Sequence, residues 1–117
     1  MASVAEPINH ARAKFNYQML CMGCHTPAGI GNGHVPQMKG FIGNFLKFQE
    51  GREYLVRVPG SANSALDNSQ LAEVLNWMIL TYAEASLPEK VVPYTADEIS
   101  ALRPNPFFEV TIAINLM

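Results

Sequence analysis

Cys21-Met22-Gly23-Cys24-His25 is the stretch from which the rest of the chain is read. Two thiols three positions apart are followed at once by an imidazole, in a C-x-x-C-H sequence. The residues before it carry a helical rhythm. Ile8, Ala11, Phe15 and Met19 recur at three- and four-residue spacing, and Pro7 suits a first turn. This predicts a helix from about Pro7 to Leu20 that delivers the cysteine pair, with Arg12, Lys14, Asn16 and Gln18 on its wet side.

The spacing has a chemistry. Two thiols so placed can each add to one vinyl group of a haem, making two thioethers, and the neighbouring imidazole then lies beneath the iron as an axial ligand. Three rival uses compete. A zinc site needs four ligands, and there is no second cysteine pair; His10 and His34 stand at no common finger spacing. A thioredoxin-like redox pair wants a βαβ setting, which this helix-then-loop pattern lacks. A structural pair gains nothing from a following histidine. Covalent haem attachment uses all three side chains.

Composition narrows the rest. The chain has 117 residues, 49% hydrophobic and 15% charged, with a net charge of -2. That is too apolar for disorder, too short of continuous apolar residues for a membrane span, and without the basic footprint that nucleic acid demands. One domain over residues 1–117 is expected, with a core over about 7–87 and a C-terminal extension over about 88–117. Met1 to Pro7 shows neither a basic n-region nor an apolar h-region. Either the chain is cytosolic or a leader has been removed.

Thr26 to Gly43 holds Gly29, Gly31, Gly33, Gly40 and Gly43 with Pro27 and Pro36, so its early part reads as a long functional loop. Phe41 to Phe48 predicts a short helix. Arg52 to Val58 predicts another, a strand being the local alternative, closed by Pro59-Gly60. The strongest helix runs from about Asn68 to Ala85. Asp67 or Asn68 caps it, Leu71, Val74, Leu75, Met78 and Tyr82 line one face, and Pro88 ends it. Thr95-Ala96-Asp97-Glu98 has capping-box spacing and opens a helix to about Leu102. Phe108, Val110, Ile112, Ile114 and Leu116 alternate as in a strand, though Phe108, Ile112 and Leu116 also suit a helix. The fold class is all-α.

Over roughly Pro7 to Ala85 the chain resembles a class I-type monohaem cytochrome c, with its helix into C-x-x-C-H, glycine loop and aromatic-bearing late helix. The resemblance implies a small single-domain fold packed around one covalent haem c, tethered by Cys21 and Cys24 with His25 as the proximal iron ligand. It implies that Pro36, in Val35-Pro36-Gln37-Met38, accepts a hydrogen bond from the His25 imidazole and orients it. The first and late helices would cross through an aromatic contact, for which Phe15 and Trp77 are the candidates. The family's distal methionine belongs to the loop before the late helix, yet Val58 to Leu66 contains none. Met78, on the inward face of the late helix, is the first distal candidate. Met38 is the alternative, although the position two after the proline packs on the proximal side. His34 and an open iron complete the set, Met19 and Met22 being too near the attachment turn.

Other residues have plainer readings. His10 is a solvated histidine. Arg52 and Arg57 can hydrogen-bond haem propionates or serve as ordinary surface charges. Tyr54, Trp77 and Tyr82 are core aromatics, either tyrosine also being able to reach a propionate. The family resemblance implies a soluble one-electron carrier, not an enzyme, cycling Fe(III)/Fe(II) between a periplasmic dehydrogenase and a downstream acceptor. Its partners would be redox proteins, with no nucleic acid and no membrane span, and its location periplasmic after loss of a leader. Two alternatives stand beside it: a cytochrome subunit of a permanent oxidoreductase complex with the apolar tail as interface, and an open-site haem protein acting as ligand sensor or peroxidase.

Overall fold

The computed structural model describes residues 7–20 and 38–107. The elements among them are α1 (His10–Leu20), a 3-10 helix (Ile42–Lys47), α2 (Gln49–Arg57), the one-turn α3 (Pro59–Ala62), α4 (Asn68–Tyr82), a second 3-10 helix (Glu84–Ser86) and α5 (Ala96–Leu102). No strand occurs among the described residues. The apolar tail from Phe108 onward lies outside them.

Asp67 starts the central helix. Its carboxylate accepts from the Gln70 N–H at 2.8 Å while the Gln70 side chain accepts from the Asp67 N–H at 3.0 Å, a reciprocal capping box. Leu71 to Ile79 are then buried without a break, and Tyr82 after them. A helix covered all round is a core helix, and the other elements pack about it. Two of its buried residues are polar, and each is matched. Glu73 takes the Arg12 guanidinium of α1, and Asn76 takes the backbone of Tyr94.

α4 stops at Tyr82, short of the expected Ala85, and Pro88 is not what stops it. Glu84 adopts a left-handed φ of 51°, which ends the helical ladder. Gly40, also left-handed at φ 73°, brings its N–H to the Tyr82 carbonyl at 2.6 Å and ties the chain before the first 3-10 helix to the end of α4.

α1 begins at His10 rather than Pro7 because Asn9 caps it: the Asn9 Oδ1 accepts from the Arg12 N–H at 3.0 Å. Its buried stripe also differs from the expected one. Ala13 and Tyr17, four apart, are buried, whereas Phe15 and Met19 are 60% and 65% exposed. Counting only purely apolar residues placed the stripe on the wrong side, because a tyrosine has an apolar body and a polar tip.

Arg52 to Val58 is helical, as α2, and starts three residues earlier at Gln49. Gly51 allows it, since a Cβ there would run into the Phe45 carbonyl. α2 ends at Arg57, with Val58 extended before Pro59, as the sequence indicated. Pro59 takes the first position of α3, where its missing N–H costs nothing. Phe41 to Phe48 forms a 3-10 helix, with Gly43 close enough to Ser86 that a Cβ would lie 2.5 Å from the Ser86 carbonyl oxygen.

Residues 88–107 are held down by side chains. Arg52 forks onto Glu98 at 2.6 and 2.6 Å, donates to the Val92 and Pro93 carbonyls, and lies 4.2 Å over the Tyr94 ring. Tyr94 returns its hydroxyl to the Arg52 carbonyl at 2.6 Å, and its backbone pairs with Asn76 at 2.8 and 3.0 Å. Arg57 donates to the Asn105 carbonyl and stacks 4.2 Å over Phe107. Arg103 reaches back to the carbonyls of Ala62 and Ser64 and to the Asn68 side chain.

Candidate functional site

Cys21, Cys24, His25 and Pro36 lie outside the described residues, as do Met22 and His34. What is described is the platform that leads to them. α1 ends at Leu20, immediately before Cys21, and is fastened to α4 at both of its ends. At the first end, Arg12 forks onto Glu73 at 2.8 and 2.7 Å, and the Asn9 N–H adds a third bond at 3.2 Å. The Arg12 hydrogen bond, assisted by Asn9, holds the Glu73 carboxyl below the usual carboxylate range.

At the other end stands an aromatic triangle. The Tyr17 ring lies 5.4 Å from Trp77 and 5.6 Å from Tyr82, and Trp77 meets Tyr82 edge-on at 5.9 Å. The helix crossing is therefore made by Tyr17, and the expected Phe15 is replaced. Tyr17 stands four residues before Cys21 in the sequence, so the crossing fixes the last turn of α1.

One polar atom near this platform is left over. Asn16 Nδ2 is buried without a hydrogen-bond partner, alone in this respect among the described side chains.

Met78 and Met38 are both 5% exposed and belong to one contiguous apolar cluster with Val56, Leu75 and Ile99. Met78 shares its face of α4 with Leu71, Leu75 and Tyr82, as the periodicity indicated. The Met38 carbonyl accepts from the Phe41 and Ile42 N–H groups at 3.0 and 2.9 Å and starts the first 3-10 helix.

The two arginines named for propionates are engaged elsewhere, Arg52 with Glu98 and Arg57 with Asn105 and Phe107. Tyr54 stacks on Phe45 at 4.8 Å, and burial pushes its phenol up to about 12. Tyr82 and Trp77 are core residues, and His10 is exposed. Among the described residues no group of three or more His, Cys, Asp or Glu forms a metal centre, and no helix is long and apolar enough to cross a membrane.

Sequence reasoning missed Tyr17, Asn9, Glu73, Asn76 and Arg103 as the residues that organise this platform. Asn9 was legible as a capping residue. The partners of Asn76 and Arg103 carry no local signal, being 18 and 41 positions away.

The chain is 29% identical over 102 aligned residues to cytochrome c-552 of Thermus thermophilus, spanning 71% of this chain and 78% of that protein. A second cytochrome c-552 sequence of the same species matches at 29% over 102 residues, with 69% of it covered. No family model matches the chain, and no solved structure does.

Proposed function

We propose that this chain is a c-type cytochrome: one haem c tethered through Cys21 and Cys24, with His25 as the proximal iron ligand, serving as a one-electron carrier. The observation that carries the reading is C-x-x-C-H placed directly at the end of α1, one turn beyond the Tyr17 crossing with α4. Similarity to cytochrome c-552 over 71% of the chain supports it. The donor set fits the group, since two thiols and an adjacent imidazole match two vinyls and one axial position.

When bound, the haem supplies the reversible Fe(III)/Fe(II) couple. The chain's residues do the rest. The two thiols would hold the macrocycle, the imidazole would bind the iron through one nitrogen, and the Pro36 carbonyl would accept a hydrogen bond from the other His25 nitrogen and fix the ring. The α1–α4 crossing holds the helix that ends directly before Cys21 against the central helix, a fixed support for the proposed site. This suits carriage rather than catalysis. The partners are redox proteins docking briefly, with a periplasmic dehydrogenase as donor and a further carrier as acceptor. Haem c is attached outside the bacterial cytoplasm, so the site of action is the periplasm.

A second reading draws on the outer side of α1. Phe15, Met19 and Leu20 are 60%, 65% and 45% exposed, which favours a cytochrome subunit covered by a permanent partner. The deciding experiment is intact mass after acid denaturation of protein made with a haem-maturation system. A mass increment of one haem is expected, lost when Cys21 and Cys24 are both replaced by alanine. A matured chain with two free thiols overturns the reading. Co-purification of a catalytic subunit with the holoprotein would favour the second form over the free carrier.

A further inference from the structure

We propose that the ring triangle of Tyr17, Trp77 and Tyr82 is a site that takes up oxidising equivalents: an electron lost from the Trp77 indole is replaced from Tyr82, so that oxidation is moved off the tryptophan. The inference stands on ring contacts among described residues and needs no bound group.

The chain holds one tryptophan and four tyrosines. Indole and phenol are aromatic side chains that give up one electron to a radical oxidant with ease, whereas a phenylalanine ring resists. In the triangle Trp77 has two phenols beside it, with ring centroids at 5.4 Å for Tyr17 and 5.9 Å for Tyr82, and the phenols lie 5.6 Å from each other. These are separations of rings in direct contact, so an electron has no stretch of saturated chain to cross. The other two tyrosines are set differently. Tyr54 lies between Phe45 and Phe107, rings that do not pass a charge on. Tyr94 carries the Arg52 cation 4.2 Å over its ring, which opposes the loss of an electron.

Burial gives the three rings different parts. Tyr17 is 1% exposed, whereas Trp77 and Tyr82 open narrowly to solvent at 9% and 8%. A one-electron oxidant of the oxygen-radical class removes an electron from Trp77 and leaves an indole radical cation. That cation takes an electron from the Tyr82 phenol, and the phenolic proton passes to water at the exposed edge of the ring. The products are a neutral, intact indole and a tyrosyl radical. A diffusible reductant such as ascorbate returns one hydrogen atom to the phenolic oxygen and closes the cycle.

The test exposes the full-length chain as matured to azide radicals, which oxidise indole by removing one electron, and locates the products by peptide mass. Conversion of Trp77 to kynurenine should be several-fold higher in Tyr82→Phe than in the parent, less raised in Tyr17→Phe, and unchanged in Tyr54→Phe. Phenylalanine keeps the ring and nearly the volume, so the packing is retained. N-bromosuccinimide attacks indole by contact and not through a relay, and it should modify Trp77 equally in all four proteins. Equal kynurenine yields in Tyr82→Phe and the parent overturn the proposal. A parallel rise in N-bromosuccinimide reactivity overturns it too, by marking the change as exposure of the indole.

Discussion

Tyr17 and Trp77 meet with ring centroids 5.4 Å apart and planes inclined at 49°, and this contact, with Tyr82 behind it, joins the helix before the cysteine pair to the central helix. Tyr17 is 1% exposed, so truncating it removes a large side chain from a filled site. Tyr17→Ala should cost about 3–5 kcal/mol in denaturant unfolding, the range for a buried aromatic, whereas Phe15→Ala should fall within about 0.5 kcal/mol of the parent. Comparable losses for the two would mean that the buried side of α1 has been misassigned.

Two glycines make a matched pair. A Cβ at Gly43 would lie 2.5 Å from the Ser86 carbonyl oxygen, whereas one at Gly60 meets nothing within 4 Å. Gly43→Ala should destabilise by about 1–3 kcal/mol through forced separation of the two 3-10 helices. Gly60→Ala, inside α3, should be neutral or stabilising by up to about 1 kcal/mol, since the unfolded chain loses freedom and no contact is strained. Thermal melts of the two variants in parallel provide the check.

Arg103 holds backbone carbonyls that have no helix to satisfy them. Arg103→Ala should cost about 2–3 kcal/mol, as expected for charge-assisted hydrogen bonds to part-buried acceptors. Amide exchange should rise first at Asn63 and Ser64, in the connector between α2 and α4, and only later at the α4 core. Lysine should rescue little, because one ammonium cannot reproduce the guanidinium fork. Uniformly faster exchange over the whole chain would argue against this local role.

The Glu73 carboxyl titrates below its ordinary value of 4.5 because Arg12, then Asn9, hydrogen-bonds its charged form. Just under that value the unfolded chain therefore holds more protons than the folded one. The contribution is complete above the ordinary carboxylate range and is lost as pH falls through the lowered folded value. Denaturation midpoints measured from neutral to acid pH should drop less steeply in Glu73→Gln than in the parent. Superimposable slopes would show that the Arg12 pairing has no energetic weight.

How much of this could be read beforehand depended on how local the cause was. α4 and its cap were legible because Asp67, Gln70 and the run from Leu71 to Tyr82 act within a few positions of one another. Thr95 opened α5 for the same reason, accepting from the Glu98 N–H at 3.3 Å. The buried side of α1 was not legible, because Phe15 outranks Tyr17 on any apolar count and only packing against Trp77 decides between them. The end of α4 was missed because a left-handed Glu84 is settled by neighbours, not by propensity. Arg52 reads equally as a propionate ligand or a surface charge, and Glu98, 46 positions later, occupies its fork. Cys21, Cys24 and His25 lie outside the described residues, and their proposed role rests on spacing alone.

The clamps on the extension impose an order on biogenesis. Arg52 waits for a carboxylate 46 positions downstream, and the connector for a guanidinium 41 positions beyond Ala62. A polypeptide emerging amino end first exposes both cysteines and the histidine long before either clasp can shut. The haem attachment proposed above can thus be finished on a chain that is still open, with the last arginine acting as the latch that follows.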